Sequence, residues 1–380
     1  MDTDVITNLQ SYLQNQSEFS FIIQQTGERR YNLIHGVTGG QRGFLCAAIA
    51  QNLRKDVLFA AENSQKAEEM IDDLSFWLPG HQVLFFPALD ILSFEVFAQS
   101  KETRWKRLEV LQALLFPNGP VAVVTTVEAL RKTMLPREQL LEQFRILSVG
   151  DAVDVMELVG WLIERGYERV ERVEEKGQLA LRGGILDVYS PAALKPWRLE
   201  FFDDEVDSIR AFSADSQRST DKMKTILLAP ASECVFSTEQ RVSVAANLQA
   251  EKKDLERRSR RRSAGRGVRS SVLDRDGGVR SSVTGGVAIS DAVDGEAASD
   301  GAVDSSVAGG GVAVSSAVSG SVEQNGSQPG DRADQLTEMI RENPFFPGHE
   351  LLLPYAGVNL CLITDYFEHS VLPVMAEPSR

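Results

Sequence analysis

The sequence predicts an α/β protein: a degenerate P-loop, RecA-like parallel-sheet domain that carries an inserted small α+β domain and a long disordered insert. Three observations carry this prediction. Up to about residue 128, short apolar runs alternate with amphipathic helical stretches, the pattern of a parallel sheet covered by helices. Over 129–215 a helical stretch is followed by consecutive strand-like runs, as in an α+β unit. Residues 257–331 contain almost no large apolar or aromatic side chain, so they cannot bury a core. The first domain is expected to resume over 216–256 and 332–380, on either side of that insert.

In chain order, Val5, Leu9 and Leu13 recur at helical spacing between Asp4 and Glu18, which predicts an amphipathic helix. Tyr31 to His35 is a brief apolar run that predicts a strand, and Phe44 to Leu53 an Ala-rich helix. Between them lies Gly36-Val37-Thr38-Gly39-Gly40-Gln41-Arg42-Gly43. A P-loop reads G-x-x-x-x-G-K-[ST], in which backbone N–H groups cradle phosphate, the Lys reaches the β/γ oxygens and the hydroxyl holds Mg²⁺. Here Gln41 replaces the second Gly, Arg42 the Lys and Gly43 the hydroxyl residue. Arg pairs with phosphate, but no side chain supplies the metal ligand. Gly36, Thr38, Gly39, Gly40 and Arg42 therefore read as a vestigial nucleotide loop, with no catalytic residue, no metal site and no bound cofactor expected.

Strands are predicted at Val57 to Ala61, Val83 to Phe86 and Val121 to Thr125, and helices at Ser64 to Leu78 and Thr103 to Leu115. Thr126 is placed to cap the turn that follows. A helix from Asp154 to Arg165 ends at Gly166, a natural C′ residue. The runs Tyr167 to Val173, Gln178 to Tyr189 and Trp197 to Phe212 read as strands, with Gly183-Gly184 a bulge or close backbone approach. Expanding a ~10-residue loop to ~75 residues costs only roughly 2 kcal/mol of closure entropy, so a folded domain tolerates the insert. Val358 to Thr364 is strand-like, and no closing element is read between there and Arg380.

The net charge of -14 argues against a protein that works mainly by coating DNA. The basic tract Arg257 to Arg269 leaves local nucleic-acid contact open. Cys46, Cys234 and Cys361 lie far apart, and the four histidines have no metal-site or triad spacing. No apolar run approaches 18 residues, so a cytoplasmic protein is expected.

On strand period two, Arg198, Glu200 and Phe202 share one face, and Leu199 and Phe201 the other. A Phe beside an Arg on an outer face is the composition of an interface hot spot. Arg182 shares a face with the small Ala180, and Arg169 is a further, rim-type candidate. Leu199 to Glu205 has a Walker B outline, but Glu200 and the alternation Val206-Asp207-Ser208-Ile209 favour a half-exposed strand pair.

Several stretches resemble the amino-terminal module of the bacterial transcription-repair coupling factors (the Mfd family), itself similar to the excinuclease subunit UvrB. They are Phe86-Pro87 with Ser93-Phe94-Glu95, the helix with Lys101-Glu102 and Arg107-Leu108, Gly166-Tyr167, Arg182 to Asp187, Arg198 to Arg210, Asp215 to Arg218, Phe346 to Pro354 and Glu377 to Arg380. The failed P-loop and the Ala180-Leu181-Arg182-Gly183 step, where UvrB-like proteins read R-x-R-G, point to the coupling-factor branch. The resemblance implies an inserted domain that binds UvrA, the damage-recognition subunit, through Arg182, Arg198 and Phe202. It also implies that ATP, Mg²⁺, DNA and RNA polymerase are handled by motor and polymerase-binding domains that these 380 residues lack. A rival reading is an ATP-dependent DNA-processing enzyme in which Arg42 rescues phosphate binding.

Overall fold

The computed structural model describes residues 8–9, 11–13, 15–28, 32–89, 101–266, 329–343, 345–346, 348–368 and 371–376. The elements run α1 (Ser17–Glu28), α2 (Gln41–Leu53), β1 (Asp56–Ala61), α3 (Ser64–Trp77), β2 (Gln82–Phe86), α4 (Lys101–Leu115), β3 (Val121–Thr126), α5 (Val127–Leu130) and α6 (Arg137–Leu141). There follow β4 (Arg145–Ser148), α7 (Val155–Ile163), β5 (Glu168–Arg169), β6 (Gln178–Arg182), β7 (Ile185–Val188), β8 (Trp197–Phe202), β9 (Glu205–Phe212), β10 (Ser219–Met223) and β11 (Thr225–Leu228). Two helices, α8 (Thr238–Arg266) and α9 (Pro329–Glu342), then precede β12 (Val371–Met375).

Strands β12, β1, β3 and β2, in that order, form an all-parallel sheet. It is apolar on both faces, as parallel sheets covered by helices must be. Val57, Phe59 and Ala61 point to a core shared with α2 and α3. Leu58, Val121 and Val123 point to a second core, shared with Val110, Leu111 and Leu114 of α4. The caps follow the chemistry expected of them. Asn63 accepts from the Lys66 N–H at the start of α3, Thr126 from the Ala129 N–H, and Asp154 from the Glu157 N–H. Gly166, at φ 89°, ends the chain's turn out of α7.

The second sheet has the order β10-β9-β8-β7-β6-β5 and is antiparallel except for the short β5–β6 pair. Its inner face, with Leu179, Leu186, Val188, Leu199, Val206 and Ile209, packs on Leu158, Val159 and Leu162 of α7. The pair β4–β11 joins the same core through Leu147, Ile226 and Leu228. Helices α8 and α9 close a fourth apolar cluster with Phe346, Leu352 and Tyr355, the last two from a 3₁₀ segment at His349–Tyr355.

Several expectations change. Residues 32–35 are irregular rather than a strand, so the strand half of the P-loop context is missing among the described residues. The helix expected over Asp4 to Glu18 is seen at residues 8–9 and 11–13, and a separate helix, α1, follows with Phe19 buried. Gln178 to Tyr189 and Trp197 to Phe212 are each two strands, because Gly183-Gly184 and Asp203-Asp204 are two-residue hairpin turns. Gly183 at φ 61° and Asp203 at φ 51° take the left-handed conformation that such turns require. Tyr167 to Val173 contains only the two-residue strand β5.

Val358 to Thr364 makes a single bridge, Met134 to Cys361, before a 3₁₀ turn at Ile363–Tyr366. Beyond it, β12 pairs with β1, so the sheet does receive a closing strand. Residues 257–266 of the expected insert extend α8, and 329–331 begin α9. The remainder of the insert (267–328), Ser93-Phe94-Glu95, and Glu377 to Arg380 lie outside the described residues.

Candidate functional site

The outer face of the second sheet carries an ion-paired cluster built on one carboxylate. Register places Ala180, Asp187, Arg198 and Arg210 in one row across β6 to β9. Asp187 is 0% exposed, although it lies in an otherwise apolar strand, Ile185–Val188. Burial of a carboxylate requires compensating donors. Arg198 supplies two, Nε to Oδ1 at 2.7 Å and Nη2 to Oδ2 at 2.9 Å. Arg182 adds Nη2 to Oδ2 at 2.6 Å from the adjacent strand. The Arg198 guanidinium also lies 4.7 Å from the centroid of the Phe212 ring. The hydrogen bond to Asp187 holds the Arg198 pKa above its ordinary value, with the charges of Asp187 and Glu200 adding to it against desolvation.

The two arginines differ in exposure: the Arg198 side chain is 17% exposed, that of Arg182 52%. Arg182 therefore presents donors to solvent while Asp187 fixes one of them. Phe202 ends β8 and is 75% exposed, whereas Leu199 is fully buried and Phe201 packs on the inner core. Strand alternation thus places these three side chains as expected. Phe202 sits beside the tip of the β6–β7 hairpin, because the Phe201 N–H donates to Gly184 O at 2.8 Å. A Cβ on Gly184 would lie 3.0 Å from Phe201 O, which explains the glycine. Ile185, also exposed, adds apolar area next to Arg182, its register partner. Arg169 is exposed on β5 in register with Leu179, whose side chain faces the core, so it does not share the face of the other three.

The glycine loop is arranged differently from a phosphate cradle. Gln41 Oε1 accepts from the Thr38 N–H at 3.3 Å, and Arg42 Nε donates to Val37 O at 3.2 Å. A side chain and an N–H that would meet phosphate are thus engaged within the loop itself. A cavity of about 490 Å³ beside Gly39 and Gly40 is bordered by Glu62, Glu69, Asp72 and Asp73, against Arg42 and Lys66. Burial, then the charges of Asp72 and Glu69, push the Asp73 carboxyl above its usual range. Gly43, in the metal-ligand position of a P-loop, is close-packed: a Cβ there would lie 2.5 Å from Asp73 Cβ. Gly43→Ser is accordingly expected to destabilise the protein by about 1–3 kcal/mol through overpacking, read from urea unfolding.

The segment from β4 to the turn after β11 also has a recognisable sequence. Residues 146–234 match the UvrB interaction domain. The chain is 33% identical to the transcription-repair-coupling factor of Bacillus subtilis over 235 residues, which is 62% of the chain and 20% of that protein. It is 34% identical to the Myxococcus xanthus factor over 216 residues, 54% of the chain and 18% of that protein. With the Staphylococcus haemolyticus factor it shares 30% over 245 residues, 64% of the chain and 20% of that protein. The chain spans about a fifth of the length of these curated relatives. The similarities are those of an amino-terminal module of coupling-factor type that includes a UvrB-interaction-like segment. No helix among the described residues is long and apolar enough to cross a membrane.

Within that UvrB-interaction-like segment, the sequence singled out Arg182, Arg198 and Phe202 as candidates but gave Asp187 no role. The available signal was a charged residue at the third position of the apolar run Ile185–Val188. Its partners became visible only with the two-residue turn at Gly183-Gly184, which sets the register of β6 against β7.

Proposed function

We propose that this chain recruits UvrA in transcription-coupled nucleotide excision repair, as a catalytically silent scaffold. The observation that carries the reading is the outer face of β6 to β8. There a half-exposed Arg182 and a 75%-exposed Phe202 flank a core-anchored Arg198–Asp187 pair. An aromatic anchor next to a guanidinium already oriented by a buried carboxylate binds a partner with little ordering cost. The match of residues 146–234 to the UvrB interaction domain supports UvrA as that partner. In this reading Arg169 contributes only at the rim. RNA polymerase, DNA and ATP engage other parts of a longer coupling factor. The RecA-like sheet is a platform without nucleotide, supported by the filled Gly43 position and by the carboxylates that border the loop on its Gly39–Gly40 side. The three cysteines are free, which suits a cytoplasmic protein.

Titration with UvrA tests the proposal. Phe202→Ala is expected to weaken binding by about 2 kcal/mol, roughly 30-fold, with an unchanged melting temperature. If neither Phe202→Ala nor Arg182→Ala alters the affinity, the UvrA assignment fails. Mg-ATP is expected to leave the melting temperature unmoved. Specific binding at 100 times its Kd would instead add about 2.7 kcal/mol of stability and support the rival enzyme reading.

A further inference from the structure

We infer that the groove between α8 and α9 is a docking site for an acidic amphipathic helix of a partner protein. The two helices pack through the fourth apolar cluster, to which α8 contributes Val244, Ala245 and Leu248 and α9 contributes Ile340. Gln249 Nε2 ties them together by donating to Asp334 Oδ1 at 2.9 Å and to Thr337 Oγ1 at 3.2 Å. A groove of about 730 Å³ runs along this pair, bordered by α8 from Thr238 to Lys253 and by Ile340 and Arg341 of α9. At 1.5 Å per residue that stretch of α8 is about 22 Å long, roughly four turns. The groove shares no residue with the face that carries Arg182, Arg198 and Phe202.

The α8 wall of the groove is apolar and unused by the fold. Val242, Ala246 and Ala250 recur at every fourth position of the helix, and all three are exposed, Val242 to 66%. They lie on a different side of α8 from Val244 and Leu248, so they add nothing to its own core. Small side chains over three successive turns, beside Ile340, let another helix approach to the short end of the usual axis separation of about 8–10 Å. A helix seated there lays an i, i+3, i+4, i+7 apolar stripe on Val242 and the two alanines, which is recognition of the helix-in-groove kind.

The charges around the groove select what that helix carries on its flanks. Arg241, Lys253 and Arg341 line it, and no carboxylate does so among the described residues. The ion pairs in this part of α8 use other cations, Lys252 with Asp334 and Arg257 with Asp254. Lys253 and Arg341 are exposed. Arg241 donates from Nη2 to Thr238 Oγ1 at 3.2 Å, and its buried Nε has no hydrogen-bond partner among the described residues. Cations around an apolar floor, in a chain of net charge -14, are a local feature that matches carboxylates on both sides of an apolar stripe. A second copy of the chain fits less well, because two-fold contact through the groove sets the same cations against each other.

The test uses the full chain and fluorescein-labelled peptides of about 18 residues, long enough to span the groove as a helix. One peptide has Leu at i, i+3, i+4 and i+7 positions with Glu on both flanks, and a matched peptide has Lys in place of every Glu. Fluorescence anisotropy is expected to show the Glu peptide bound with a Kd of about 10 µM and the Lys peptide bound at least about 10-fold more weakly. Ala246→Glu puts a good helix former at an exposed helical position, so the melting temperature should stay unchanged while affinity for the Glu peptide falls at least about 10-fold. Lys253→Glu combined with Arg341→Glu is expected to invert the preference, so that the Lys peptide binds more tightly than the Glu peptide. The proposal is overturned if the Glu peptide does not bind at about 100 µM, if both peptides bind the unsubstituted chain equally, or if Ala246→Glu leaves the affinity unchanged. Sedimentation that shows a dimer dissolved by Ala246→Glu also overturns it, since the occupant is then a second copy of the chain.

Discussion

Arg107→Ala is expected to lower the free energy of unfolding by about 3–5 kcal/mol, seen as a shift of the urea midpoint without a change in slope. Arg107 is 1% exposed on α4 and is the largest fully buried side chain among the described residues. Its Nε reaches both Glu233 carboxylate oxygens, at 2.8 and 3.1 Å, and its Nη1 donates to Pro87 O at 2.8 Å. The guanidinium is also stacked 3.9 Å from the Phe86 ring centroid. Truncation leaves the Glu233 carboxylate, itself 9% exposed, without its cation, and the Pro87 carbonyl without this donor. The pair joins the parallel sheet's covering helix to the segment that leaves β11, so the loss is felt across two cores. Replacing both partners, Arg107→Met with Glu233→Leu, is expected to recover most of the stability, since no desolvated charge is then left alone. A single-variant loss below about 1 kcal/mol would show that the pair is dispensable.

What was legible beforehand, and what was not, follows the range of the interactions. The alternation from Arg198 to Phe202 is a local property, and it assigned inner and outer faces correctly because strand geometry has period two. The cap at Thr126 and the stop at Gly166 are equally local, and they stand in the fold. The turns at Gly183-Gly184 and Asp203-Asp204 were hidden inside long strand-like runs, since apolar alternation passes through a two-residue turn without a break. Strand β12 escaped notice because β1, its ladder partner among the described residues, lies more than 300 residues earlier. The strand expected at Tyr31 to His35 rested on a brief apolar run, but Leu33 and Ile34 are exposed and 32–35 are irregular. Arg107 sits on a helix read correctly as a helix, but its burial depends on Glu233, which no periodicity links to it.

Asp187→Ala is expected to cost about 2–4 kcal/mol of stability and also to weaken UvrA binding, although the Asp187 side chain is 0% exposed and cannot touch a partner. The stability loss comes mainly from Arg198, which is 17% exposed and would lose two hydrogen bonds to the carboxylate, keeping a 3.4 Å bond from Nη1 to Gln217 O. Arg182, 52% exposed, can turn to water, so its share is small. The affinity loss comes from the opposite member: a released Arg182 samples many rotamers and must be ordered again on binding. These two effects separate experimentally. Chemical unfolding of Asp187→Ala and Arg198→Ala should show coupling of about 1–3 kcal/mol. In UvrA titrations at a temperature where all variants are folded, Asp187→Ala and Arg182→Ala should be less than additive. Asp187→Asn is the discriminating control. It keeps the shape and one acceptor oxygen but not the charge, so it should restore part of the stability and little of the affinity. Full additivity in the titrations would mean that Asp187 supports the fold alone and that Arg182 acts without it.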